Sequence, residues 1–132
     1  MAPQELPAPG KEQPADVNAA RDAVTATWNL AHDKSVPQAQ ALSAYDDPSG
    51  FAEIEDRMAH GQYGAQIAAT TVYLDDIVFE SATRAAFSYH WNTPGAGSYG
   101  ERFGEAVLVN GAWKITRATA CQNFALGGET CP

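Results

Sequence analysis

The sequence predicts an α+β fold: three N-terminal helices packed on a curved four-stranded antiparallel sheet, followed by a short C-terminal helical turn. Three observations predict it. Apolar residues recur at helical spacing up to Gly61. From Gln66 onward β-branched and aromatic residues dominate. Asn110-Gly111 stands between two apolar runs as a hairpin turn. Helices first and strands after exclude a wound βαβ order.

Residues 1–14 contain Pro3, Pro7, Pro9 and Pro14 and read as a flexible, extended linker, leaving 15–132 as one domain. Asp16 is placed to N-cap the first helix, whose stripe of Val17, Ala20, Val24, Thr27, Trp28 and Ala31 runs to His32. Ser35 is expected to cap a second helix, with Pro37 in its first turn and Ala39, Leu42 and Tyr45 facing the core. Asp46-Asp47-Pro48-Ser49-Gly50 is turn chemistry. A third helix carries Phe51, Ile54 and Met58 and stops at His60-Gly61.

Residues 66–80 read as the first strand, with Asp75-Asp76 marking a bulge or an edge. Over residues 83–92, Ala85, Phe87, Tyr89 and Trp91 share one face, which should point inward; Arg84, Ala86, Ser88 and His90 share the other. Residues 99–109 form a third strand, and Trp113, Ile115, Arg117 and Thr119 mark one face of the last. Cys121 to Leu126 is a helical turn, stopped by Gly127-Gly128. A sheet of this length with bulge signals should curl around the first helix and leave a cone-shaped cavity. Trp28, Tyr45, Phe51, Phe87, Tyr89, Trp91 and Trp113 are its expected lining.

With 132 residues, 45% of them apolar, the chain can bury a core. No stretch is apolar enough for a bilayer span. Eight basic against 16 acidic residues give a net charge of −8, which disfavours nucleic acid and anionic membranes as partners. An acidic surface gives solubility and, more sharply, a preference for cationic ligands. Cys121 and Cys131 lack zinc spacing and any companion Cys/His cluster, so they read as a disulfide or as two buried thiols. Met1 is followed by neither a basic start nor an apolar run. The protein is then cytoplasmic, or it is exported and its signal segment has been removed.

The Val24…Trp28 stripe, the break after it, and the ending Asn110-Gly111-Ala112-Trp113-Lys114-Ile115 resemble the NTF2-like, cystatin-type superfamily, which includes ketosteroid isomerase-like and SnoaL-like enzymes. The tail from Trp113 to Cys121, then Gly127-Gly128-Glu129-Thr130-Cys131-Pro132, is similar to small exported actinobacterial proteins such as the mycobacterial low-molecular-weight secreted antigen. That resemblance implies an extracytoplasmic or secreted protein, a Cys121–Cys131 disulfide, and no assigned enzymatic activity.

The isomerase pattern of the superfamily needs a helical tyrosine, a carboxylate base and a second carboxyl in a dry pocket. Trp28 stands where the tyrosine would be, the segment carrying the base looks absent, and Glu105 roughly takes the second carboxyl's place. His90 is the other candidate base, although alternation puts it on the outer strand face, solvated or paired. His32 and His60 sit at helix ends, where a cation suits the dipole. Asp46, Asp47, Asp75 and Asp76 lack calcium-loop spacing, so no metal or cofactor is expected. An inward Arg117 would need a carboxylate such as Glu105; otherwise it reaches solvent where the sheet twists open. The reading is a non-catalytic exported domain that binds a protein partner or a small apolar ligand, with a homodimer through the sheet as an option. The alternative is a small isomerase, cyclase or hydrolase using Glu105 or His90.

Overall fold

The computed structural model describes residues 5–132, apart from the side chains of Ser98 and Tyr99. Among these residues, α1 (Val17–Ala31), α2 (Gln38–Leu42), α3 (Phe51–Ala59) and α4 (Gly64–Ala69) precede the sheet. Strands β1 (Thr71–Ser81), β2 (Arg84–Thr93), β3 (Gly97–Val109) and β4 (Ala112–Ile115) follow, then α5 (Arg117–Leu126). The sheet is open and antiparallel, in sequence order β1-β2-β3-β4. No helix among the described residues is long and apolar enough to cross a membrane.

The Asp16 carboxylate accepts from the Ala19 amide and starts α1. Ala20, Val24, Trp28 and Ala31 then fall on one buried face. Two side chains fasten this helix across the sheet: Arg21 Nη1 donates to the Ile77 carbonyl on β1 (3.0 Å), and Thr27 Oγ1 donates to the Trp113 carbonyl on β4 (2.9 Å). The core between them contains Phe51, Ile54, Phe79, Phe87, Tyr89 and Ile115, all almost fully buried. At the hairpin, Asn110 and Gly111 have φ of 51° and 81°, the pair of positive values a two-residue turn requires. The expected Asp75-Asp76 irregularity is a register shift between Leu74 and Asp76.

Three elements differ from the sequence expectation. Gln66 to Ala69 belong to α4, so β1 begins only at Thr71. The cause is tertiary: Lys34 Nζ donates to the carbonyls of Ile67, Ala68 and Thr70, satisfying the last turn of a short helix. Ser35 does not cap α2; its amide and hydroxyl both bond Asp33 Oδ1, and Pro37 precedes the helix instead. The last strand stops at Ile115. Thr116 caps α5 by accepting from the Thr119 amide, so Arg117 and Thr119 are helical rather than extended.

This longer α5 guards an edge. β4 pairs only with Ala106 to Val109, which leaves the first part of β3 without a strand neighbour on that side. There the Glu105 amide donates to Thr119 Oγ1, the Thr116 amide to the Glu105 carbonyl, and Gln122 Nε2 to the Phe103 carbonyl. Gly104 permits the approach, because a Cβ there would lie 2.5 Å from Thr119 Cγ2 and 2.9 Å from the Phe87 ring.

Candidate functional site

The aromatic residues nominated as a cavity lining pack largely on one another. Trp28 lies 4.6 Å from Tyr89 and 5.2 Å from Phe87, ring centre to ring centre. Tyr45 meets Phe51 at 5.3 Å, Phe51 meets Phe124 at 5.0 Å, and Phe79 meets Trp113 at 5.5 Å. Trp91 is only partly buried and carries the Arg102 guanidinium 5.7 Å from its ring centre. The Tyr89 hydroxyl donates to Asn123 Oδ1 at 2.7 Å and so ties β2 to α5. Burial raises the Tyr45 hydroxyl far above the ordinary tyrosine range, which keeps it neutral.

The two candidate catalytic groups lie on the other sheet face, apart from these rings. His90 Nδ1 contacts both Asp75 carboxylate oxygens, at 2.7 and 2.9 Å, and its ring stacks on Tyr73. Glu105 accepts from Arg84 Nε at 3.0 Å. Both pairs are substantially exposed. Alternation placed His90 outside correctly. It did not foresee that Ala86 and Ser88, on that same face, are buried.

Ala86 lies beside the N-terminal segment. The Gly10 amide donates to the Phe79 carbonyl at 3.0 Å, and Gln13 Nε2 donates to the same carbonyl at 2.8 Å. From there residues 5–7 reach a cleft of about 310 Å³, which they line together with Ala86, Phe103, Ala118, Gln122, Glu80 and Glu105. Its lining mixes apolar side chains with the carboxylates of Glu5, Glu80 and Glu105. Glu80 sits beside Glu105, and burial together with the Glu105 charge raises its carboxyl above the ordinary range; Arg84 opposes this. The sequence reading missed Glu80 and Leu6. Leu6 is a large apolar side chain, but Pro3, Pro7, Pro9 and Pro14 around it make the stretch read as a linker.

Three further sequence expectations concern Cys121 with Cys131, His32 and Arg117. Cys121 and Cys131 form a disulfide, with Cα atoms 5.8 Å apart. His32 is no helix-end cation: burial pushes its imidazole down to about 4, overriding the hydrogen bond to the Trp28 carbonyl. Arg117 does not pair with Glu105, and its side chain remains partly exposed. Its guanidinium donates to the carbonyls of Asp47, Ser49 and Pro132. Among the described residues, no group of three or more His, Cys, Asp or Glu side chains is arranged to hold a metal ion.

The fold thus combines a helical layer fastened on an open antiparallel sheet, a disulfide tying the last helix to the tail, and a cleft lined in part by carboxylates. No curated protein matches the chain significantly. A family model does: residues 16–131 match the model described as low molecular weight antigen MTB12, C-terminal domain. That span takes in every helix and strand described above, and the chain therefore belongs to the family of the MTB12 C-terminal domain.

Proposed function

We propose that the chain is an exported, non-catalytic binding domain of NTF2-like arrangement, and that it holds a small apolar ligand bearing a positive charge. The observation that carries this reading is the cleft beneath residues 5–7. Its volume of about 310 Å³ falls at the lower end of small-molecule sites. Ala86, Phe103, Ala118 and Leu6 offer apolar surface in its lining, and Glu5, Glu80 and Glu105 offer carboxylates. A chain of net charge −8 adds a field that draws cations and repels anions. The disulfide and the antigen family support export, because such bonds persist in oxidising compartments. The paired, exposed states of His90 and Glu105 support binding over turnover.

The test is a titration of isotope-labelled protein with hexylammonium, followed by amide shifts. Shifts concentrated at Ala86, Phe103, Gly104 and Ala118, weakened severalfold in Glu105→Gln and with hexanol in place of the amine, are expected. Diffuse shifts, or equal binding of hexanoate, overturn the ligand assignment. Two titratable thiols per native, unreduced chain overturn the export assignment.

A further inference from the structure

We infer that residues 5–13 are a releasable strap that closes the cleft, latched through the Glu80 and Glu105 carboxyl pair beneath it. The inference rests on the proposed cleft site and concerns its regulation. One residue, Glu80, joins the two parts of the device. Its backbone carbonyl is so close to Gly10 that a Cβ at that position would overlap it, and its side chain lines the cleft with Glu5, Leu6 and Pro7. Among the described residues, the strap is hydrogen-bonded to the β1 edge at one carbonyl, that of Phe79, by Gly10 and Gln13. Leu6 is half-buried, whereas Pro7, Ala8 and Pro9 are exposed. Such a segment gains little apolar burial and one shared edge contact, so its hold on the sheet is small and easily biased.

The bias comes from charge. Glu80 Oε1 is shut off from water and accepts no hydrogen bond from the described residues, and the Glu105 carboxyl stands beside it. The charged groups facing it are Glu105 on β3, Arg84 on β2 and Glu5 on the strap itself; α5 contributes the uncharged Ala118, Thr119 and Gln122. With Glu80 protonated, its hydroxyl donates to Glu105, and the closed strap covers a neutral group. With Glu80 ionised, two adjacent carboxylates need water, and lifting the strap supplies it. The closed form therefore binds the extra proton, and closure weakens as pH rises through the Glu80 titration. Linkage is reciprocal: anything that removes the strap must lower the Glu80 carboxyl toward the ordinary range.

The test uses the full chain and no ligand. Heteronuclear 15N relaxation of Leu6 and Gly10 is followed from acidic to neutral pH, beside carboxyl-carbon titration of Glu80. The expected result is rigid-body values at low pH falling to free-tail values as Glu80 ionises. In Glu80→Gln, a neutral mimic of the protonated acid, the strap should stay ordered throughout. In Gly10→Ala it should be mobile at every pH, with the Glu80 titration shifted downward. Relaxation that is flat across pH in the native chain, or an unchanged pH response in Glu80→Gln, overturns the strap. A responsive strap with no hexylammonium binding overturns the ligand assignment alone.

Discussion

The guanidinium of Arg117 lies 4.9 Å from the ring centre of Phe51, stacked over the start of α3. From that position it donates to the carbonyls of Asp47 and Ser49, each at 2.9 Å, and of Pro132 at 3.1 Å. One planar cation thus joins α5, the turn before α3 and the C-terminal tail. Lysine cannot hold this fork and stack at once. Arg117→Lys should lower stability by about 2 kcal/mol, read as a reduced urea midpoint at unchanged slope. An unchanged midpoint would make the fork incidental.

The His32 imidazole, covered by Trp28 at a ring separation of 4.2 Å, is held down to about 4 from 6.5. The unfolded chain therefore binds a proton at higher pH than the folded one. His32 stabilises the fold fully above the unfolded value and loses that contribution as pH falls from 6.5 toward 4. The loss is at most about 3 kcal/mol, and less to the extent that the ring meets water. His32→Gln should flatten this part of the stability profile measured by urea unfolding at stepped pH. If the slope between these values survives the substitution, another group sets it.

The elements legible in the sequence are those whose cause is local. The α1 stripe from Val17 to Ala31, its Asp16 cap and the Asn110-Gly111 turn each need only neighbours in the chain. The elements misread depend on distant partners. α4 is capped by Lys34, more than thirty residues away, and Ile67-Ala68-Ala69 alone suits a helix or a strand equally. Arg117 and Thr119 continued the alternation of Trp113 and Ile115, so the break at Thr116, whose hydroxyl turns back to the Thr119 amide, gave no periodic sign. The site divides in the same way. Glu105 and His90 were nominated singly, but the pairing of Glu105 with Glu80 runs across strands, beside the register shift between Phe79 and Ser81. Leu6 was masked by the prolines around it.

Joining Cys121 on α5 to Cys131 closes a loop of sequence separation 10. By loop entropy this is worth roughly 3 kcal/mol, since the reduced unfolded chain regains the freedom the bond removes. The bond also holds the tail where Glu129 accepts from Arg57 Nη2 at 2.8 Å. Cys121→Ser with Cys131→Ser should lower the thermal midpoint by several degrees and release residues 127–132 to fast amide exchange. A native chain whose stability is indifferent to reductant would show that the tail is held by Arg57 and Arg117 alone.

Gly104 faces Phe87 across the β2–β3 ladder and receives Thr119 of α5 over its missing side chain. An added methyl would stand 2.5 Å from Thr119 Cγ2 and 2.9 Å from two carbons of the Phe87 ring. The ring is fully buried against Trp28 and cannot swing away cheaply, so the helix must yield. Yielding would lengthen the bonds by which Thr119, Thr116 and Gln122 cover the open edge of β3. Gly104→Ala should therefore cost about 1–3 kcal/mol, with hydrogen exchange rising first at the Glu105 and Thr116 amides. The double variant Gly104→Ala with Thr119→Ser, which removes the opposing methyl, should recover part of that loss. If the double variant is no more stable than Gly104→Ala alone, the contact with Phe87 and not the seat of α5 limits the site.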